Sequence, residues 1–428
     1  MYSATTLENG IRVVTESMPE TRSVSVGIMI DVGPRDEPEG CHGLAHLAEH
    51  MMFQGTGSRS ARDIALMMDE SGGQMGAFTT RDYTCYSATV LDDYTTYALD
   101  LMGDILLNSV FPEEALEREK HSILREIDGE SDIPSSRAHD ALKSHVWGRH
   151  PLGRSVAGSP EVVRGMTRED LIYFVHRYYL PDRMIVAAAG NLHHGDFLSQ
   201  VRDAFWRMMG TGEKTHSPSP SFASGVVVED VPVSQAYFAI GLDCLPYGDE
   251  GRYGVHLLNS IIGGGSSSRL YARLREERGL VYRIGSEYHA YADGGMLVIE
   301  GSTAPEYLIR VLCLVLVELW QLAAGDDPVS EEELWKARMQ LRAQHLIASE
   351  NSSTRMSRLA TQAFYFERFL SGEEILSSID AVGCAELKET AGSGLARALK
   401  HVAVSVVGPE GPETFTRQGI EDLLAEFV

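Results

Sequence analysis

The chain has 428 residues, of which 43% are hydrophobic and 23% charged, and its 61 acidic and 37 basic side chains give a formal net charge of −24. This composition is typical of a globular protein with two or three domains and excludes a disordered or collagen-like chain. Because polyanions repel an acidic surface, neither nucleic acid nor an anionic membrane is expected as a partner.

Three features of the sequence predict a cytoplasmic protein. The first residues, MYSATTLENGIRVV, contain no basic region followed by an apolar core, so no signal peptide is predicted. The most apolar stretch, 311–324, is shorter than the roughly 18–20 residues that span a bilayer. The five cysteines (Cys41, Cys85, Cys244, Cys313 and Cys384) are odd in number and lack CxxC spacing, which is typical of reduced thiols.

Taken in chain order, the predicted elements alternate between hairpin strands and amphipathic helices. Asn9-Gly10 predicts a hairpin turn, and YTCYSATVL and MLVIEGST predict strands. Helices are predicted at 94–107 and 307–322. This mixture favours an α+β fold over a doubly wound parallel sheet.

The two halves of the chain contain the same elements in the same order. In each half an apolar stretch is followed by a polar turn and then by a helical run. The helical run is GLAHLAEHMMF in the first half and YGVHLLNSII in the second, and the two copies align at an offset of 211 residues. A charged helix at 111–127 and a buried strand at 182–192 recur at an offset of 218. Repetition on this scale predicts two homologous domains of about 210 residues, each an α/β sandwich. We assign them to 1–209 and 223–428, joined by a Gly-, Ser- and Pro-rich linker at 210–222.

The run HLAEH in the first half has the spacing of a metal site. His46 and His50 are four residues apart, so both imidazoles lie on one face of a helix. Glu49 lies on the same side, where its carboxylate can face a water molecule. This HxxEH order is the inverse of the HExxH found in other zinc proteases.

A catalytic zinc requires a third protein ligand, which the helix at 113–127 can supply. Glu119 and Glu126 are seven residues apart and therefore lie on one face of that helix. Other acids there could equally be solvated surface groups, and spacing does not choose among them: they are Glu113, Glu114, Glu117 and Asp128.

The internal repeat separates residues that build the fold from residues that carry chemistry. At the offsets given above, His46, Glu49 and His50 correspond to Leu257, Ser260 and Ile261. Likewise, Glu119 corresponds to Ala337 and Glu126 to Gln344. Because one half holds a complete ligand set and the other holds none of it, we predict chemistry in the first half and a different role for the second.

The motifs HLAEHMMFQGT, GGQMGAFTTRDYTCY, EREKHSILREI and RLREERGLVY, in this order, resemble the pitrilysin/insulysin metallopeptidases. The similarity is greatest to single-subunit bacterial proteins related to the mitochondrial processing peptidase, and it covers essentially the whole chain. It implies a two-domain clamshell with Zn²⁺ bound by His46, His50 and Glu126. It further implies that Glu49 is the general base of peptide hydrolysis and that Glu119 supports the site.

The resemblance also implies where substrate binds. Arg275 and Tyr282, in the domain without metal, would reach the substrate, with the Tyr282 phenol stabilising the oxyanion. The segment 72–80 would be an edge strand that pairs with the peptide backbone. Gly76, Ala77 and Phe78 lie in this segment, and Gly76 stands where many relatives carry Asn.

The predicted function is therefore a zinc endopeptidase that acts on peptides or unfolded segments in an enclosed chamber, as a homodimer or with a related subunit. Two alternatives remain open: a non-catalytic scaffold subunit, and a maturation protease for one ribosomally made peptide. The ligand set favours zinc and leaves manganese open.

Overall fold

Two mixed β-sheets covered by helices organise the chain in the computed structural model, which describes residues 1–212, 219–411 and 413–427. The first unit comprises Met1–Asp128, Arg154–Ser217 and Leu346–Leu370, and the second Gly129–Gly153, Pro218–His345 and Ser371–Val428. Of the predicted linker 210–222, residues 213–218 lie outside the described part of the chain.

Each unit is built on one sheet. The strands are β1 (Tyr2–Thr6), β2 (Arg12–Ser17), β3 (Ser23–Ile30), β4 (Gln74–Thr79), β5 (Thr84–Leu91), β6 (Met184–Gly190), β7 (Gly225–Asp230), β8 (Ala236–Cys244), β9 (Val281–Ala290), β10 (Gly295–Thr303) and β11 (Ala403–Gly408). The orders are β1-β2-β6-β3-β5-β4 and β7-β11-β8-β10-β9. Apart from β1, the two sheets have the same topology, with one parallel pair each (β2–β6 and β7–β11). The predicted α+β fold with two homologous domains is confirmed.

The helices are α1 (Leu44–Met52), α2 (Ala61–Glu70), α3 (Thr95–Asn108), α4 (Glu113–Ser131), α5 (Pro134–Trp147), α6 (Pro160–Gly165), α7 (Arg168–Tyr178), α8 (His194–Phe205), α9 (Arg252–Gly263), α10 (Leu308–Ala324), α11 (Glu331–Ala348), α12 (Ser352–Tyr365), α13 (Gly372–Ala381), α14 (Cys384–Glu389), α15 (Ala396–Ala398) and α16 (Arg417–Phe427). A π-helical turn, Thr390–Leu395, connects α14 to α15.

In the first unit, α12 covers the face of the sheet opposite to the main core. The central strand β6 is buried at every position because alternate residues point to the two sides. Met184, Val186 and Ala188 belong to the main core, whereas Ile185 and its neighbours pack with the apolar face of α12. A Cβ atom on Gly27 would lie 2.1 Å from Met356 Sδ, so glycine permits this close helix–sheet contact.

Each half of the chain contributes one helix to the unit that is built mainly from the other half. Helix α5 follows the first repeat's charged helix but packs on β8 and β11 of the second sheet, and α12 packs on β3 and β6 of the first. Segment 129–153 therefore belongs to the second unit and segment 346–370 to the first. The predicted division at 210–222 assigned each of them to the other unit. The boundaries fall inside α4 and α11, two long continuous helices that sequence periodicity cannot divide.

Helix α10 is the most apolar element. With the preceding turn it spans Pro305–Ala324, longer than the predicted apolar stretch, and by length and composition alone it could cross a membrane. Its apolar face lies in the core of the second unit, with Val311, Val315 and Leu319 buried. The buried Glu318 on this helix forms an ion pair with Arg269. Packing inside the unit thus accounts for the apolar sequence.

Candidate metal centre

Helix α1 presents His46, Glu49 and His50 on one side because its other side is anchored in the core. Its apolar residues are fully or almost fully buried: they are Leu44, Ala45, Leu47, Ala48, Met51 and Met52. The two imidazoles are partly buried, with ring centroids 4.7 Å apart. The helical spacing read from the sequence is therefore the spacing in the structure.

A buried carboxylate caps the N-terminus of this helix. Gly43, in the left-handed region at φ 98°, provides no side-chain cap. Instead, Glu37 accepts hydrogen bonds from the backbone N–H of Gly43 (3.0 Å) and of Ala45 (2.8 Å). Burial raises the pKa of Glu37 to about 7, although the two backbone bonds oppose the rise. A carboxyl group in this place satisfies free N–H groups and complements the helix dipole.

Helix α4 brings Glu126 to the two histidines. Its Oε2 atom lies 3.8 Å from His46 Nε2 and 3.7 Å from His50 Nε2. One ligand atom from each of the three residues lies within 4.8 Å of the others. In a tetrahedral zinc site with bonds of 2.0–2.1 Å, ligand atoms are about 3.3 Å apart, so each of the two distances from Glu126 to a histidine exceeds that of a zinc site by about 0.5 Å or less.

The protonation states of the histidines also fit a metal. His50 Nδ1 lies 3.0 Å from Glu119 Oε2, so an Nδ1–H that donates to this carboxylate leaves Nε2 unprotonated toward Glu126. Burial and the nearby His50 lower the pKa of His46 to about 4, so its imidazole is neutral at pH 7. Neutral imidazoles and a carboxylate are a donor set that suits zinc, and the residues present fit the ion.

Glu49 is held by the first sheet. The hydroxyl of Thr79, at the end of β4, donates a 2.6 Å hydrogen bond to Glu49 Oε2. Burial raises the pKa of Glu49, the nearby Glu126 adds to the rise, and Thr79 and His50 oppose it. The arrangement provides an oriented carboxylate with increased basicity beside the histidine pair.

Strand β4 lies at the edge of the first sheet, as the sequence predicted for 72–80. Within the part of the chain that the structure describes, it pairs with β5 alone, and its other side carries no strand. Phe78 is exposed, Ala77 is half-buried, and a Cβ atom on Gly76 would meet nothing within 4 Å. The strand can therefore accept a further extended chain.

Arg275 and Tyr282 lie together in the second unit. The Arg275 guanidinium is 5.8 Å from the centroid of the Tyr282 ring and 4.9 Å from that of Tyr271. The Tyr282 side chain is highly exposed, at 74%. The pairing is consistent with a role in binding, and that role stays a prediction.

The second unit has an apolar cluster where the repeat places the metal ligands. Leu257, Ile261 and Ala337 are the counterparts of His46, His50 and Glu119, and all three are buried. They pack with Leu334, Ile379 and Val382. Ser260, the counterpart of Glu49, donates a 2.8 Å hydrogen bond to Gln340. In this copy hydrophobic packing has replaced the two histidines and Glu119, whereas Gln344, the counterpart of Glu126, is exposed.

Sequence reasoning missed Thr79 and Glu37. Thr79 lies inside the predicted edge strand 72–80, but strand pairing, not spacing, brings its hydroxyl to Glu49. Glu37 lies in a polar turn that reads as a surface loop, like its exposed neighbour Glu39. A Glu six residues before an uncapped helix is the signal that could have identified it.

Comparison with known families covers both halves of the chain. Residues 12–160 match the family described as insulinase (peptidase family M16), and residues 165–341 match the M16 inactive domain. An uncharacterized zinc protease of Bacillus subtilis is 33% identical over 413 residues, which is 96% of this chain and 99% of the relative. Another, from Mycobacterium tuberculosis, is 36% identical over 418 residues, covering 95% and 93%.

Solved structures share the fold. A crystal structure described as a peptidase M16 inactive domain from Pseudomonas fluorescens superimposes with a TM-score of 0.88 at 20% identity, covering 96% of this chain and 98% of the other. A protease from Helicobacter pylori gives 0.87 at 19% identity, covering 96% and 100%. At such identities the similarity concerns the fold alone.

Proposed function

Because the chain belongs to the insulinase (M16) family of peptidases, we propose that it is a zinc-dependent endopeptidase that hydrolyses peptides or unfolded segments. The observation that carries the proposal is the convergence of His46, His50 and Glu126, with Glu49 on the same helix as the two histidines. These three residues would hold the ion. When bound, zinc polarises the scissile carbonyl and makes water more acidic.

In this mechanism Glu49 moves the proton. Its carboxylate accepts a proton from the attacking water and later delivers it to the leaving amine. Because its pKa is raised, the Glu49 carboxylate is a stronger base toward the attacking water than an ordinary glutamate. Thr79 fixes one carboxylate oxygen and thereby orients the other. Glu119 orients the His50 ring through Nδ1.

We extend the proposal to substrate binding. The open edge of β4 would pair with an extended peptide by strand addition, which selects flexible chains over folded ones. Arg275 and Tyr282 would contact the bound peptide, with the Tyr282 phenol donating to the oxyanion. An enclosed chamber, which admits only flexible substrates, belongs to the same proposal.

The test is hydrolysis of an unstructured, fluorescence-quenched peptide mixture by the purified protein, with metal content measured on each sample. Glu49→Gln removes the base and should lower the rate of hydrolysis by about 10²–10⁴-fold. The variant should still bind about one zinc per chain, because Glu49 is not a ligand. Glu114→Gln, on the exposed side of α4, is the matched control and should behave as wild type.

Two results would contradict the proposal. Full activity of Glu49→Gln would exclude this residue as the base. A wild-type protein that binds no zinc and cleaves no peptide would favour the scaffold alternative.

A further inference from the structure

The second unit contains a cavity of about 330 Å³ at the end of β8, remote in the fold from the Arg275–Tyr282 pair. Helix α9 and the π-helical turn Thr390–Leu395 form its sides. Its walls are mainly apolar, formed by Leu242, Leu245, Val255, Leu258, Leu297 and Leu395. π-Helical segments are rare and occur frequently at functional sites.

One wall of the cavity consists of small residues. Thr390, Ser393 and Gly394 lie on the π-helical turn, and Ala398 lies on the short helix α15 that follows it. Because none of these side chains is large, the space between this wall and α9 stays open.

The size of the cavity sets the size of an occupant. An apolar protein cavity of about 150 Å³ binds benzene, and ligand sites begin at about 300 Å³. The volume found here therefore suits an apolar body of about ten to twelve non-hydrogen atoms. The cavity is open to solvent on one side, so a molecule of this size can enter it.

The charged residues around the cavity set the charge of an occupant. Asp243, Glu386 and Glu389 are acidic, whereas Arg397 is the basic residue of the lining. The Asp243 carboxylate forms a long ion pair with Arg397, at 4.0 Å and without a hydrogen bond, and both side chains are partly exposed. Burial raises the pKa of Asp243, and Arg397 and His401 only partly oppose this. A cation at this carboxylate would stabilise its ionised form.

From the cavity, its small-residue wall and its acidic rim, we propose that the second unit binds a small apolar molecule that carries a primary ammonium group. The apolar body occupies the space between α9 and the π-helical turn, and the ammonium group pairs with Asp243. This site goes beyond the peptidase function and does not depend on the metal centre.

The test compares three probes of similar size on the full zinc-loaded protein: 2-phenylethylamine, 2-phenylethanol and 3-phenylpropionate. Binding is followed by calorimetry and by the shift in melting temperature. We expect the amine to bind at least tenfold more tightly than the alcohol, and the carboxylate not to bind. Equal binding of all three, or no binding up to millimolar concentration, would overturn the proposal.

Two variants assign the binding to this cavity. Gly394 lines the cavity and a Cβ atom on it meets nothing within 4 Å, so Gly394→Leu places a bulky side chain at the cavity wall and should abolish binding of the amine. Asp243→Asn should remove the preference for amine over alcohol, whereas Asp326→Asn, at an exposed site in the same unit, should leave it unchanged. Amine binding that persists in a folded Gly394→Leu protein would place the site elsewhere and refute the proposal.

A final comparison identifies the source of the ammonium group. Binding of Phe-Gly-Gly amide that is lost both on N-acetylation and in Gly394→Leu would assign the site to peptide N-termini. Failure of this peptide to bind, where 2-phenylethylamine binds, would assign it to free amines.

Discussion

His50 Nδ1 and Glu119 Oε2 lie 3.0 Å apart, and this contact determines which nitrogen of the imidazole faces Glu126. Residues that orient a metal-bound histidine typically contribute 10–100-fold to metal affinity. We therefore expect Glu119→Gln, which keeps an acceptor but loses the charge, to weaken zinc binding by about that factor. Competition with a chelator at pH 7 measures the effect. Glu114→Gln is the control on the same helix, and an unchanged affinity in Glu119→Gln would contradict this role.

Thr79 provides a test that separates chemistry from metal binding. Thr79→Val keeps the shape of the side chain but removes the donor to Glu49. Hydrogen bonds to charged groups contribute about 1.5–3 kcal/mol, so kcat should fall by about 10- to 100-fold. Zinc content should not change, and Thr79→Ser should retain most of the activity. Loss of zinc from the valine variant would show that Thr79 supports the fold of the site instead.

Glu37 should couple the stability of α1 to the metal site. Glu37→Ala leaves the N–H groups of Gly43 and Ala45 without their acceptor, which should lower the free energy of unfolding by about 1–2 kcal/mol. Glu37→Gln, whose amide oxygen can accept one of the two bonds, should lie between alanine and wild type. Melting temperature and zinc affinity of the three proteins are the measurements. The exposed Glu39→Ala is the control, and an equal effect there would refute the specific role of Glu37.

Gly76 should tolerate a side chain. Because a Cβ atom there meets no neighbour, Gly76→Asn should fold normally and place an amide beside the open edge of β4. One added hydrogen bond to a peptide contributes about 1 kcal/mol, so KM for an unstructured peptide should fall by about fivefold. Gly76→Ala is the control, because it restricts the backbone as asparagine does but adds no amide group. The same change in KM for both variants would argue against a hydrogen bond.

The ion pair between Arg269 and the partly buried Glu333 predicts a pH dependence of stability. Burial acts to raise the pKa of Glu333, but hydrogen bonds from Arg269 and Ser330 and the charge of Arg269 outweigh it and lower the pKa to about 2. Because the folded-state pKa lies below that of the unfolded chain, the stabilisation is present above about pH 4.5 and is lost as the pH falls toward 2.

The corresponding experiment compares melting temperatures of wild type and Glu333→Gln between pH 6 and pH 3.5. The difference between them should be largest at pH 6 and should shrink with acidification. Glu332→Gln removes an exposed carboxylate paired with Lys336 and is the control. A difference that is constant over this range would exclude the ion pair as its source.

Local periodicity made part of the site predictable. His46, Glu49 and His50 share one helix face by spacing alone, and the repeat identified the second copy as lacking metal ligands. Spacing could not separate Glu119 from Glu126, because residues seven apart share a face. The structure distinguishes them by which imidazole nitrogen each approaches. Spacing could not place Thr79 beside Glu49, because strand pairing brings it there, and Glu37 was missed because a loop brings it back to the start of α1.

The exchange of α5 and α12 means that neither half of the chain contains all the helices that cover its own sheet. A fragment ending near residue 209 would keep the first sheet but expose Met29, Cys85 and Ile185, which pack against α12 in the intact chain. The same fragment would retain α5 without the strands β8 and β11 on which it packs. Separately produced halves should therefore be insoluble alone and regain structure only when refolded together. This reciprocal dependence makes the second copy indispensable to the metal-binding copy, even though it carries none of the ligands.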